Sequence, residues 1–195
     1  ERLADALRAL AAALAESGRP AMIIGGIAAI VRGVPRVTRD IDATVVGEGT
    51  DLDALLATFG RHGVAPRIDD ALAFARRHHV LLLRHRSSGV DVDVSIAWLP
   101  FEVEAIAAAE PIALYGATVR AARAEDLVVY KAVAWRAQDR LDVERLLALH
   151  GDRIDLARVR RLVADVAAAL DDSGRVAEFE GLIARARGGQ SWPGA

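Results

Sequence analysis

Between Met22 and Val46 an apolar segment runs into the pair Gly25-Gly26 and then, past Ile27 to Arg39, into Asp40-Ile41-Asp42, and no other stretch constrains the fold as much. Successive side chains of a strand alternate between its faces, so Asp40 and Asp42 are predicted to project together. Two carboxylates on one face repel unless a cation lies between them. Oxygen donors of this kind suit Mg²⁺ or Mn²⁺; Mg²⁺ takes one or two carboxylates and completes its shell with water and substrate phosphates. Ile27-Ala28-Ala29-Ile30-Val31 reads as a short helix that starts just after the glycines. Glycine lets a phosphate approach the backbone and a helix N-terminus favours anions, so Gly25-Gly26 is the predicted seat of a polyphosphate. Arg32, Arg36 and Arg39 can neutralise its charge, and Thr38 can donate a hydroxyl. Singly, these signals have ordinary readings: Asp-x-Asp is common on surfaces, and Gly-Gly usually marks a turn.

Taken together, Gly25-Gly26, Arg32-Gly33, Arg36, Thr38 and Asp40-Ile41-Asp42 resemble, in order and spacing, the signature of the DNA polymerase beta-like nucleotidyltransferase superfamily. Gly-Gly followed by Arg-Gly and by Arg-x-Thr-x-Asp-Ile-Asp is similar to the AbiEii/AbiGii toxin-like group, whereas small antitoxin-like members more often carry Gly-Ser. The resemblance implies an α/β (α+β) nucleotidyltransferase fold, with a mixed, partly antiparallel sheet flanked by helices and a C-terminal helical region. It implies an NTP donor bound near Gly25, Gly26, Arg36, Thr38 and Arg39, a divalent metal on Asp40 and Asp42, and a third carboxylate on a later strand.

Val90-Asp91-Val92-Asp93-Val94-Ser95-Ile96 offers two candidates on one face. The resemblance selects Asp93, whose Asp-Val-Ser-Ile run leads to Leu99-Pro100-Phe101-Glu102, and leaves Asp91 as the second. The alternation fits equally a solvated face opposite Val90, Val92 and Val94. In the implied reaction Asp40 and Asp42 bind the metal-bound triphosphate, and Asp93 helps deprotonate an acceptor hydroxyl or binds a second metal. The products are a nucleotidylated acceptor and pyrophosphate. Toxin-like relatives imply an RNA acceptor, the 3′ end of tRNA, and a cognate antitoxin protein. Two alternatives are a drug-modifying enzyme acting on an aminoglycoside or lincosamide hydroxyl, and a non-catalytic regulatory member acting through protein contacts.

The second half holds one residue that is out of place. In Leu127-Val128-Val129-Tyr130-Lys131-Ala132-Val133-Ala134-Trp135, apolar residues cover nearly the whole helix, and Lys131 falls on the line of Leu127, Ala134 and Trp135. Such a lysine either snorkels to solvent or a nearby carboxylate, or reaches a triphosphate as a point charge. Glu125-Asp126-Leu127, this lysine, Arg136 and Asp139-Arg140-Leu141-Asp142-Val143 resemble the family's second conserved region, which implies the triphosphate role. Asp139 and Asp142 have a plainer use as caps of the next helix.

The coarse pattern predicts a helix over Leu3 to Leu14 ending at Ser17-Gly18, a helix from about Leu52 to Arg61, and a strand near Val64 to Ile68. Val80 to Arg84 and Val90 to Ile96 form a hairpin across Ser87-Ser88-Gly89. Helices follow from about Ala124, starting at Asp139 and Asp155 and breaking at Gly151 and Gly174. The resulting division is a catalytic region over 1–120, a helical region over 121–187 and a disordered tail over 188–195.

Composition narrows the classes. With 53% hydrophobic and 27% charged residues the 195-residue chain can bury a real core. No apolar run approaches a membrane span and no segment has the layout of a secretory signal, so a cytoplasmic location is expected. The absence of cysteine excludes thiolate chemistry. A net charge of −2 argues against wholesale coating of nucleic acid. Basic clusters at Arg76-Arg77-His78-His79, Arg84-His85-Arg86 and Arg158-Val159-Arg160-Arg161 read as solvated faces, with the two adjacent histidines pointing apart on a strand.

Overall fold

A computed structural model describes residues 1–172 and 174–187, so the tail expected over 188–195 lies outside the described residues. The chain divides into two compact units, Glu1–Ala28 with Arg36–Ala122, and Ala29–Pro35 with the residues from Arg123 onward. The segment 29–35, counted by sequence with the catalytic region, belongs to the helical unit. There His150 Nε2 donates to the Arg32 carbonyl at 2.7 Å, and Arg145 Nη1 donates to the Pro35 carbonyl at 2.9 Å.

The first unit is built on one seven-stranded sheet in the order β3-β4-β5-β2-β1-β7-β6. Its strands are β1 (Ala21–Ile23), β2 (Ile41–Val46), β3 (Val64–Pro66), β4 (Val80–His85), β5 (Asp91–Ala97), β6 (Glu110–Leu114) and β7 (Ala117–Ala121). β2 pairs parallel with β5 and β1 parallel with β7, and the remaining pairs are antiparallel. The predicted hairpin is β4–β5, in register from Val80↔Ser95 to Arg84↔Asp91. A mixed sheet follows because the crossover from β2 to β5 carries its own strands and helices.

Strand patterning decides which face is the core. In β5, Val92 and Val94 are fully buried while Asp91, Asp93 and Ser95 on the other face are half-buried; in β2, Ile41, Ala43 and Val45 are fully buried. Helix α1 (Arg2–Ser17) buries Ala6, Leu7, Leu10 and Ala13, a helical stripe, and Gly18 ends it in the left-handed conformation at φ 62°. Helix α3 (Leu52–Arg61) coincides with its predicted span, because Asp51 caps it by accepting from the N–H groups of Asp53 and Ala54.

Three features were not foreseen. Helix α4 (Ala71–His78) occupies the segment in which His78 and His79 were expected on a strand. Instead His78 packs on Phe74, and His79, the left-handed cap, stacks on Trp98 at 5.2 Å. Helix α5 (Pro100–Ala108) begins at Pro100, with the Glu102 carboxylate accepting from the N–H groups of Trp98 and Leu99 at 3.0 Å. The β6–β7 hairpin turns on Tyr115 and Gly116, both at positive φ, the geometry that keeps strand twist continuous through a two-residue loop.

The second unit contains α6 (Ala124–Ala134), α7 (Ala137–His150), α8 (Leu156–Ala169) and α9 (Gly174–Arg187), as the helical pattern predicted. Asp155 caps α8 by accepting from Arg158 N–H at 2.9 Å. Asp139, expected to start a helix, stands at the third position of α7 and accepts from Arg136 N–H at 3.1 Å. Among the described residues no helix is long and apolar enough to cross a membrane.

Candidate active site

β1 delivers the chain to Gly25 directly beside β2, where Ile24 N–H donates to the Asp42 carbonyl at 2.9 Å. The short helix α2 (Gly25–Val31) starts at Gly25 itself, so the glycine pair forms its first residues instead of preceding it. Gly25 sits at φ 62°, and a Cβ built there would lie 1.9 Å from Asp42 Oδ2. A Cβ on Gly26 would lie 2.3 Å from Thr38 Oγ1 and 3.2 Å from an Arg36 guanidinium nitrogen. The pair is therefore glycine for two reasons: the backbone turns left-handed at Gly25, and side chains of β2 and the preceding loop lie against both residues.

Gly25→Ala is expected to destabilise by about 1–2 kcal/mol from the left-handed conformation alone, and by more from the displaced Asp42 carboxylate. The urea midpoint of the purified variant checks this, and an unchanged midpoint would contradict the close packing.

The carboxylates lie on adjacent parallel strands. Asp42 and Asp93 are direct partners in the β2–β5 register, so they share a face of the sheet. Asp40 stands just before β2 rather than on it; its side chain is exposed and accepts from Thr38 Oγ1 at 2.8 Å. Asp91 lies farther along the same face of β5, and its carboxylate accepts from Arg84 Nε at 2.6 Å, the contact that chiefly holds its carboxyl below the usual range.

Asp93 has a partner that sequence reasoning missed. Both terminal nitrogens of Arg67 donate to its two carboxylate oxygens, the longer bond at 3.3 Å, and Arg67 Nη1 also donates to the Leu83 carbonyl at 2.9 Å. The Asp93 bond, with the fields of Asp93, Asp91 and Asp40, raises the Arg67 pKa against the opposing effect of burial. A lone arginine after a strand carries no signal of this; only the β3–β4–β5 register brings Arg67 to Asp93.

The donor chemistry fits a divalent cation. Asp42 and Asp93 bring hard carboxylate oxygens to one face of the sheet, and the missing Cβ at residue 25 makes room for the Asp42 carboxylate against the backbone. The expected three-carboxylate centre of Asp40, Asp42 and Asp93 is nevertheless not drawn together: among the described residues no three or more metal-type side chains lie close enough to hold an ion. The reason is visible in the partners, since Thr38 holds Asp40 and Arg67 holds Asp93.

Of the other predicted residues, Arg36 is half-buried beside Gly26 and Arg39 is exposed. Lys131 belongs to the second unit, where its ammonium lies 3.0 Å from Asp139 and 2.9 Å from Asp142. That contact with nearby carboxylates accounts for its burial, and no reach to phosphate is needed to explain it.

The sequence model of the family described as nucleotidyl transferase AbiEii toxin, type IV TA system, matches residues 6–190. The crystal structure of ANT(2")-Ia in complex with adenylyl-2"-tobramycin is similar in fold, with a TM-score of 0.54 at 22% identity over 85% of this chain and 96% of that one. The solution structure of ANT(2'')-Ia gives 0.53 at 22% identity, over 91% and 94%. A nucleotidyltransferase-like protein of Paracoccidioides brasiliensis gives 0.49 at 16% identity, over 89% and 91%. No curated protein matches the chain in sequence.

Proposed function

The chain belongs to the AbiEii nucleotidyl transferase toxin family of type IV toxin–antitoxin systems, and from that premise we propose that it moves a nucleoside monophosphate from an NTP to an RNA hydroxyl, with the 3′ end of tRNA as acceptor. The observation that carries the reading is the register of Asp42 with Asp93, with the Asp42 carboxylate packed against Gly25.

Asp42 and Asp40 would hold a Mg²⁺ or Mn²⁺ ion, with Asp93 as third ligand or base. When bound, such an ion neutralises triphosphate charge and orients the α-phosphate. Gly25 and Gly26 let Asp42, Thr38 and Arg36 pack close to the backbone, Thr38 orients Asp40, and Arg36 and Arg39 supply positive charge for the phosphates. The acceptor oxygen forms a bond to the α-phosphorus while the bond to the bridging oxygen of the β-phosphate breaks. Asp93 takes the hydroxyl proton, and pyrophosphate leaves with the electron pair. Family membership also supports an antitoxin protein as partner.

The test incubates the protein with Mg²⁺ and each α-labelled NTP against tRNA, a panel of aminoglycosides and lincosamides, or no acceptor, beside an Asp40→Ala/Asp42→Ala control. Label on tRNA that depends on the aspartates is the expected result. Label on the antibiotics would replace RNA with a drug acceptor, and label nowhere would refute the transferase assignment. Affinity for tRNA is expected to fall about tenfold or more between about 50 and 200 mM salt, as phosphate contacts release counterions. Salt-insensitive binding by fluorescence polarisation would exclude a phosphate-led acceptor.

A further inference from the structure

Arg67 is the residue of this site that the proposed reaction leaves without a task. Its position is built. The backbone N–H that follows β3 donates to the Leu82 carbonyl at 3.1 Å, and the guanidinium is pinned to the Leu83 carbonyl before it reaches Asp93. From there it grips both oxygens of that carboxylate, a fork geometry that lysine cannot reproduce.

The surroundings are acidic. Asp91 precedes Asp93 on the same face, Asp42 faces Asp93 across the strands, and the charges of Asp91 and Asp40 reach the guanidinium. Arg84 takes up Asp91, so Arg67 is left with Asp93. A cation at this point does for the carboxylates what a divalent ion does: it relieves their mutual repulsion.

We propose that Arg67 is a positioning residue that stands in for the divalent cation, holding Asp93 in register with Asp42 and yielding that carboxylate when the metal enters. This rests on the nucleotidyl-transfer reading above and adds to it a competition at one ligand. A purely structural arginine would leave metal affinity unchanged or lower it when removed. A placeholder would raise it, because the ion no longer has to displace a bidentate ion pair.

The test uses the full chain, with Mn²⁺ as the probe, and follows loss of the free-ion electron paramagnetic resonance signal. Arg67→Met is expected to bind Mn²⁺ about tenfold more tightly than the parent, since a hydrogen bond between charged groups no longer opposes entry. Arg84→Met, which frees Asp91 instead, should bind as the parent does. Without metal, Arg67→Met should melt below the parent and recover more on adding Mn²⁺, as ligand linkage requires.

Parental or weaker Mn²⁺ affinity in Arg67→Met, with binding measurable in both proteins, overturns the placeholder role and leaves the transferase reading standing. No Mn²⁺ binding in either protein overturns both. If Arg67→Met fails to fold, Arg67→Lys takes its place, because it keeps the charge and loses the fork. A smaller rise in affinity is then expected, and parental affinity overturns the inference.

Discussion

An Asp42→Ala variant is expected to transfer nucleotide about a thousand-fold more slowly than the parent, whereas Asp91→Ala stays within about twofold. Both are aspartates on the sheet face that carries the candidate site, and a view from composition or spacing alone would treat them as equivalent. The pairing separates them. Asp42 faces Asp93 directly and lies under Gly25, where the backbone was left without a Cβ to make room. Asp91 is bound to Arg84 at the rim of the strand. In the proposed reaction Asp42 would hold the ion, whose charge stabilisation of the transition state is worth several kcal/mol, and at about 1.4 kcal/mol per decade its loss gives the predicted rate. Initial rates of label transfer, read beside far-UV circular dichroism, distinguish lost chemistry from a lost fold. A folded Asp42→Ala protein with near-parental rate would remove these aspartates from the reaction, and equal losses in both variants would move its centre toward Asp91.

Lys131→Met is expected to destabilise the protein by about 3–5 kcal/mol, because it removes the buried ammonium that two buried carboxylates share. The ammonium and both partners are almost wholly out of water: side-chain exposure is 6% for Lys131, 2% for Asp139 and 0% for Asp142. Arg136 Nε at 2.7 Å remains on Asp139, and the Gln138 side-chain amide at 3.0 Å remains on Asp142, so neither carboxylate becomes bare. Neither neighbour supplies the buried positive charge that is lost. Burial pushes the Asp139 carboxyl up, but hydrogen bonds from Arg136 and Lys131, with their charges, pull it below its ordinary 3.8.

A carboxyl depressed by folding contributes stability above its unfolded value and loses it as pH falls through the folded one. The parent should therefore weaken on acidification below about pH 4, and its advantage over Lys131→Met should shrink there as the carboxyls take up protons. Urea midpoints at neutral and acid pH measure both effects. A near-parental midpoint at neutral pH, combined with weakened NTP binding, would return Lys131 to the triphosphate.

The hairpin from Val80 to Ile96 was legible because the apolar run Val80 to Leu83 and the strict alternation of Val90 to Ile96 flank Ser87-Ser88-Gly89, and α3 because Asp51 announces its own cap. Helix α5 and the β6–β7 hairpin carry only short local signals: Pro100 with Glu102 at the third helical position, and Tyr115-Gly116 between two five-residue strands. Histidines 78 and 79 were misplaced because an adjacent pair has no periodicity of its own, and α4 is too short to impose one.

By itself the sequence determined the chemistry available: which carboxylates, glycines and arginines the chain owns, their order, and the periodicity that sorts apolar from polar faces. Those are local properties, set by side-chain type and by spacings of two to four residues. Tertiary structure alone decided who meets whom. Asp93, and not Asp91, stands opposite Asp42 because β2 and β5 pair parallel in one register, and a slip of a single residue would have turned the aspartates to the opposite face. Arg67 reaches Asp93, and Lys131 is enclosed by Asp139 and Asp142, for the same reason. A partner chosen across 26 residues, as in the first case, depends on strand order and register, which no local pattern encodes.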